Sequence, residues 1–164
     1  MRRPSASHHI DCDPATFWSV FWDDDAFLRE LYLEVLQFKS FTVVSRSETK
    51  RVMRLVPKMN VPGPVAKVIG DTFGYEDHAE LDRDRGEMRW QMKPNTMQGK
   101  LLVQGLVRVT PDGEGCRRVD EVTIEAKIFG VGGLVEGSTE QEVRAGWDKE
   151  SAFLKRYLAR RAQS

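Results

Sequence analysis

The side chains of this 164-residue sequence that titrate or ligate near neutral pH are three histidines and two cysteines. His78, in the stretch GYEDHAEL, follows Glu76 and Asp77. A histidine beside a carboxylate can accept or donate a proton near neutrality, which makes His78 the candidate catalytic acid or base. The alternative for His78 is an exposed histidine on a strand. His8, His9 and Cys12 carry metal-capable atoms, but neighbours on a strand point to opposite faces, so His8 and His9 do not share one ion. No metal site is expected. Cys12 and Cys116 stand far apart and outside C-x-x-C or zinc-ribbon spacing. They read as reduced, structural thiols of a cytoplasmic protein, with a disulfide between them left open. The sequence has no G-x-S-x-G, P-loop, H-E-x-x-H or dinucleotide fingerprint, so no cofactor is expected.

Charge narrows the partners. Lysine plus arginine number 25 and aspartate plus glutamate 25, a formal net charge of zero, so no global field draws the chain onto nucleic acid. The start MRRPSASHHIDCDP has basic residues without an apolar segment after them, and no later run approaches the length of a membrane span. Neither secretion nor a span is expected. The length fits one domain over residues 1–164, able to bury roughly two-thirds of its unfolded surface.

The elements that would position these groups follow from periodicity. SASHHID can form a first strand, and Asp13 before Pro14 is an N-cap followed by proline at the first helical position. Phe17, Val20 and Phe21, then Phe27, Leu28, Leu31 and Leu33, predict two short helices back to back. From Phe38 the period falls to about two. Hairpin turns are predicted at Ser47-Glu48-Thr49-Lys50, Asp84-Arg85-Gly86 and Pro111-Asp112-Gly113. Val143, Trp147, Ser151, Leu154 and Leu158 recur at helical spacing and predict one long amphipathic C-terminal helix. Lys155, Arg156, Arg160 and Arg161 near its end complement the helix dipole.

This order, a strand, two short helices, about six antiparallel strands and a long helix, with about six to seven strands in the sheet, resembles the START-like (SRPBCC) superfamily. That is the α+β helix-grip fold shared with the birch-pollen allergen family and polyketide cyclases. The chain is most similar to the bacterial DUF2505 family through HHIDCDPATFWSVFWDDDAFLRE, VPGPVAKVIGD and IFGVGGLVEGSTEQEV. The resemblance implies a curved antiparallel sheet wrapped around the long helix, with a hydrophobic cavity between them. Phe73, Trp90, Met92 and Leu102 from the sheet region, and Val143, Trp147 and Leu154 from the helix, are the candidate cavity residues. Ala145, Gly146, Ser151 and Ala152 would leave volume beside them.

The resemblance also gives PKMNVPGPVAKVIGD a role, because the connection between the third and fourth strands lies over the cavity mouth. Met59, Val61, Val65, Val68 and Ile69 are then lid residues, with Gly63 and Gly70 as hinges and Lys58 and Lys67 placed to meet lipid phosphates. The alternative is a helical turn packed on the core. Val131, Leu134 and Val135, among Gly130, Gly132, Gly133 and Gly137, form the other side of the portal, or simply a tight strand-to-helix connection. The mixed charges of RRVDEVTIEAK and LDRDRGEMRW read as solvated faces, with Arg89 and Glu125 as alternative cavity-facing groups. The functional expectation is a binder of an apolar small molecule, most simply a lipid such as a sterol, fatty acid or phospholipid, for transfer or sensing, with transient contact to a membrane surface. Two rivals stand beside it. One is a cyclase- or hydratase-like enzyme using the same cavity, and the other an interaction module using the apolar lid. The oligomeric state is not legible in the sequence.

Overall fold

Two aspartates start the helices that follow the first strand. In the computed structural model, which describes residues 1–163, β1 (Ser5–Ile10) leads into α1 (Pro14–Trp18), where Asp13 Oδ1 accepts from the Thr16 backbone N–H at 2.7 Å. Asp24 does the same for α2 (Asp25–Arg29), accepting from the Phe27 N–H at 3.1 Å. Each helix widens into a π-helical segment, Ser19–Asp23 after α1 and Glu30–Val35 after α2. The wider turns bring Phe17 and Trp22, five residues apart, to the same fully buried state.

The rest of the chain is a meander closed by its first strand. β2 (Ser40–Arg46), β3 (Lys50–Val56), α3 (Gly63–Ile69), β4 (Tyr75–Asp82), β5 (Glu87–Pro94), β6 (Leu101–Asp112) and β7 (Gly115–Ala126) precede α4 (Gly132–Ala162). The seven strands form one antiparallel sheet in the order β1-β7-β6-β5-β4-β3-β2. Gly86 (φ 64°) and Gly113 (φ 62°) occupy the left-handed positions that the two later hairpin turns require. The fold is therefore the helix-grip arrangement expected from the sequence.

Two apolar clusters lie between the sheet and the helices. One joins α1, α2 and the second half of α4, with the Phe27 and Phe153 rings stacked at 5.2 Å. Tyr157 fixes that end by donating to Asp24 Oδ2 at 2.6 Å. The other joins Val65 and Ile69 of α3, Val103, Val122 and Ile124 of the sheet, and Val135 and Trp147 of α4. Gly132 allows β7 to turn directly into α4, since a Cβ there would stand 2.5 Å from the Ala126 carbonyl oxygen. Glu136 Oε2 accepts from the Ala126 N–H at 2.9 Å, tying the start of α4 to the end of β7.

Candidate functional site: a cavity with a charged floor

The two apolar clusters do not fill the space between them. Register decides what faces it. Arg51, Met53 and Leu55 of β3 oppose Ala79, Asp77 and Tyr75 of β4, and Asp77 and Ala79 in turn oppose Met92 and Trp90 of β5. Period-two alternation puts all of these on the inner face. Trp90 opposes Gly105 of β6, where a Cβ would fall 2.7 Å from the indole atoms. The ring therefore lies flat across β6, as only glycine permits. From α4, Thr139, Val143, Gly146 and Glu150 form one stripe at helical spacing toward the same space. The result is a cavity of about 300 Å³, at the lower end of the range for small-molecule sites.

Of the residues expected to line a cavity, Phe73, Trp90, Met92, Val143 and Trp147 do so. Leu102 does not: Leu101 and Val103 border the cavity, so alternation turns Leu102 to the opposite face, where its register partner is Glu125. Leu154 is fully buried in the cluster with Phe27 and Phe153, one turn beyond the cavity. Of the lid candidates, Met59, Val61 and Ile69 border the mouth together with Pro57 and Lys58. Val65 is fully buried beneath them and Val68 half-buried, because residues 63–69 form a helix whose Val65–Ile69 edge packs inward. On the far side, Val135 is fully buried, Val131 packs at the margin of the same cluster, and Leu134 is 52% exposed. Phe129, just before α4, is entirely exposed.

The ionisable groups depart most from expectation. His78 sits on the outer face, its Nε2 3.1 Å from Glu76 Oε1, and it does not border the cavity. Asp77, one residue earlier, faces inward. Burial pushes its carboxyl up to about 6, against the pull of the Arg51 and His78 charges. Its Oδ1 meets no hydrogen-bonding group among the described residues. Arg51, only 2% exposed, donates through one terminal nitrogen to the Phe21 carbonyl at 2.8 Å, and its guanidinium lies 4.5 Å from the Trp22 ring centre. Its Nε also meets no partner among the described residues. Tyr32 and Tyr75 border the same floor, and burial raises both phenols above their ordinary value.

A second charged group spans from sheet to helix. Arg118 and Asp120, 4% and 2% exposed, contradict the reading of the RRVDEV run as a solvated face. Arg118 donates from its second terminal nitrogen to Asp120 Oδ1 at 2.9 Å, and its first pairs with Glu150 of α4. Burial raises the Glu150 carboxyl, while its two carboxylate partners hold the Arg118 guanidinium in its charged form. Arg89, by contrast, is exposed, and Glu125 lies on the outer face with Leu102. Residue type does not distinguish Arg118 from Arg117, which is exposed and pairs with Asp112 at 3.0 Å. A burial signal was available only in the even spacing of Arg118, Asp120, Val122 and Ile124.

The remaining chemistry-bearing residues lie elsewhere. His8 faces α4, 3.9 Å from Asp148, whereas His9 faces outward, 2.9 Å from Asp112. Among the described residues, no three histidine, cysteine or acidic side chains gather as a metal site. Cys12 and Cys116, distant in sequence, are free thiols brought close together. No described helix is long and apolar enough to cross a membrane.

Comparison with known proteins matches residues 5–158 to the model of a family described as "Protein of unknown function (DUF2505)". No curated protein matches. Solved structures of the same fold include a protein from Thermus thermophilus, at TM-score 0.68 and 19% identity over 94% of this chain and 95% of that one. The Zhui aromatase/cyclase from a Streptomyces species superposes at TM-score 0.67 and 13% identity, over 98% and 95%. Norcoclaurine synthase from Thalictrum flavum, in complex with dopamine and hydroxybenzaldehyde, superposes at 0.69 and 14%, over 96% and 87%.

Proposed function

The chain belongs to the DUF2505 family, and we propose that it works as a single domain that binds an apolar small molecule, in the simplest case a lipid, in the cavity between sheet and helix, for transfer or sensing. The observation that carries this reading is the cavity of about 300 Å³, walled by Phe73, Trp90, Met92 and Trp147 and bordered at its mouth by a proline- and glycine-rich segment. Burial of apolar ligand surface there would supply affinity at about 25 cal/mol per Å². Entry is assigned to parting of the Met59–Ile69 segment from the start of α4. The exposed Phe129 and Leu134 suit brief contact with a membrane surface.

The test uses Gly146. It borders the cavity on α4, and a Cβ there has open space around it. Gly146→Phe should fill the site while favouring the helix. Solvent extraction and mass spectrometry of purified wild type should yield a stoichiometric apolar molecule, depleted in the folded variant. A neutral fluorescent probe, N-phenyl-1-naphthylamine, should bind the wild type and not the variant. Equal probe binding by both would refute the cavity as the site.

A second reading, an enzyme acting on an apolar substrate, is favoured by one observation: Asp77 is a cavity-facing carboxyl held up to about 6, suited to proton transfer near neutrality. The acid–base role considered for His78 would then belong to Asp77. Turnover lost in Asp77→Asn with binding retained would support it.

A further inference from the structure

Two side chains that border the floor of the cavity each carry one unmatched polar atom. Arg51 Nε–H and Asp77 Oδ1 are both buried without a hydrogen-bonding partner among the described residues. Both side chains border the cavity. They stand on adjacent strands, Arg51 opposite Ala79 and Asp77 opposite Met53, which makes them diagonal neighbours on one face. They form no direct ion pair, since the Arg51 guanidinium is held over Trp22 by its bonds to the Phe21 and Trp22 carbonyls.

Resting on the cavity reading above, we infer that the ligand is an apolar molecule ending in a neutral hydroxyl, an alcohol or a phenol, whose oxygen accepts from Arg51 and whose hydrogen is donated to Asp77. A hydroxyl supplies both partners from one atom. A carboxylate head would satisfy Arg51 but stand as a second anion beside Asp77, while Arg118, the other buried guanidinium bordering the site, is already taken by Asp120 and Glu150. An ammonium head would satisfy Asp77, yet it has no lone pair for Arg51 and would face its charge. The opposite charges of Arg51 and Asp77 offset each other, so the floor offers an ion no net compensation for its lost hydration. A site built to bond a hydroxyl discriminates strongly against heads that leave its buried groups unmet.

The experiment is displacement of N-phenyl-1-naphthylamine from the full chain near neutral pH by 1-decanol, decanoic acid and decylamine, which share one alkyl chain. Decanol should bind about 10-fold tighter than either ionised analogue, as expected when one charge-assisted hydrogen bond is at stake. In Asp77→Ala the preference should fall to about 2-fold. Asp77→Asn, of wild-type shape, serves if the alanine variant does not fold, and the wild-type series decides by itself if neither does. Decanoic acid or decylamine binding as tightly as decanol overturns the hydroxyl assignment while leaving the cavity reading intact, as does a decanol preference unchanged in Asp77→Ala. If neither the probe nor any of the three binds, the cavity reading itself fails, and this inference with it.

Discussion

Asp77→Asn should make the protein more stable, and the gain should depend on pH in a defined direction. The ordinary aspartate value is 3.8 and burial raises that of Asp77 to about 6. Below both values the folded and unfolded chains each carry the proton, so the group contributes nothing. Between them the unfolded chain ionises first, and stability falls as pH rises. Above 6 both forms are ionised and the penalty is complete. At about 1.4 kcal/mol for each pH unit separating the two values, it reaches about 3 kcal/mol. Urea unfolding of wild type and Asp77→Asn should therefore differ by about 3 kcal/mol at about pH 8, and by about 1 kcal/mol at about pH 4.5, with the variant the more stable at both. Asparagine keeps the shape and removes only the charge, so contributions from other groups cancel in the difference. A variant equal to or weaker than wild type at about pH 8, or a gain that does not shrink on acidification, would refute the placement of an unpaired carboxylate on the cavity floor. The same result would remove the physical basis for selective hydroxyl binding.

Gly105→Ala would set a methyl group 2.7 Å from the Trp90 indole, which borders the cavity and would have to shift. We expect a loss of about 1–3 kcal/mol in stability, a shift in tryptophan emission and weaker probe binding; a melt and titration both unchanged would contradict the described wall. Arg118→Leu leaves Asp120 and Glu150 as uncompensated buried carboxylates, a loss of about 3–5 kcal/mol. Adding Asp120→Asn and Glu150→Gln should restore much of the denaturant midpoint, and a triple variant no better than the single would show that Arg118 acts through packing alone.

The architecture was legible because its punctuation is local. Asp13-Pro14 caps a helix, and Gly86 and Gly113 turn two hairpins at positive φ. The cavity was half legible. Trp90, Met92, Val143 and Trp147 stand out as apolar residues at strand or helix spacing, and they border it. Leu102 carried the same apolar signal but the opposite parity, which only register resolves. The charged floor was the least legible part, because Asp77 is the one polar residue on the inner parity of β4, which it shares with Tyr75, Ala79 and Leu81. The period-two alternation of that strand already puts Asp77 on the parity of Ala79 and Leu81 and His78 on the opposite one, and the register with Met53 and Met92 agrees. In RRVDEV the inner positions are charged because Glu150 arrives from α4 to meet them, a contact contained in no local window. Cys12 and Cys116 met for the same reason, across the closure of β1 on β7.

That closure orders events during synthesis. Strands β2 to β7 each pair with a neighbour in sequence, so they can zip up hairpin by hairpin as the chain emerges from the ribosome. β1, made before them, pairs with β7 alone among the described strands, whereas Trp22 already meets Arg51 of β3 and the Ser47 carbonyl. β1 is thus among the last of the described strands to dock, and Phe27 gains its stacked partner Phe153 only with α4. The cavity, roofed by α4, cannot take up a ligand until that helix has been made.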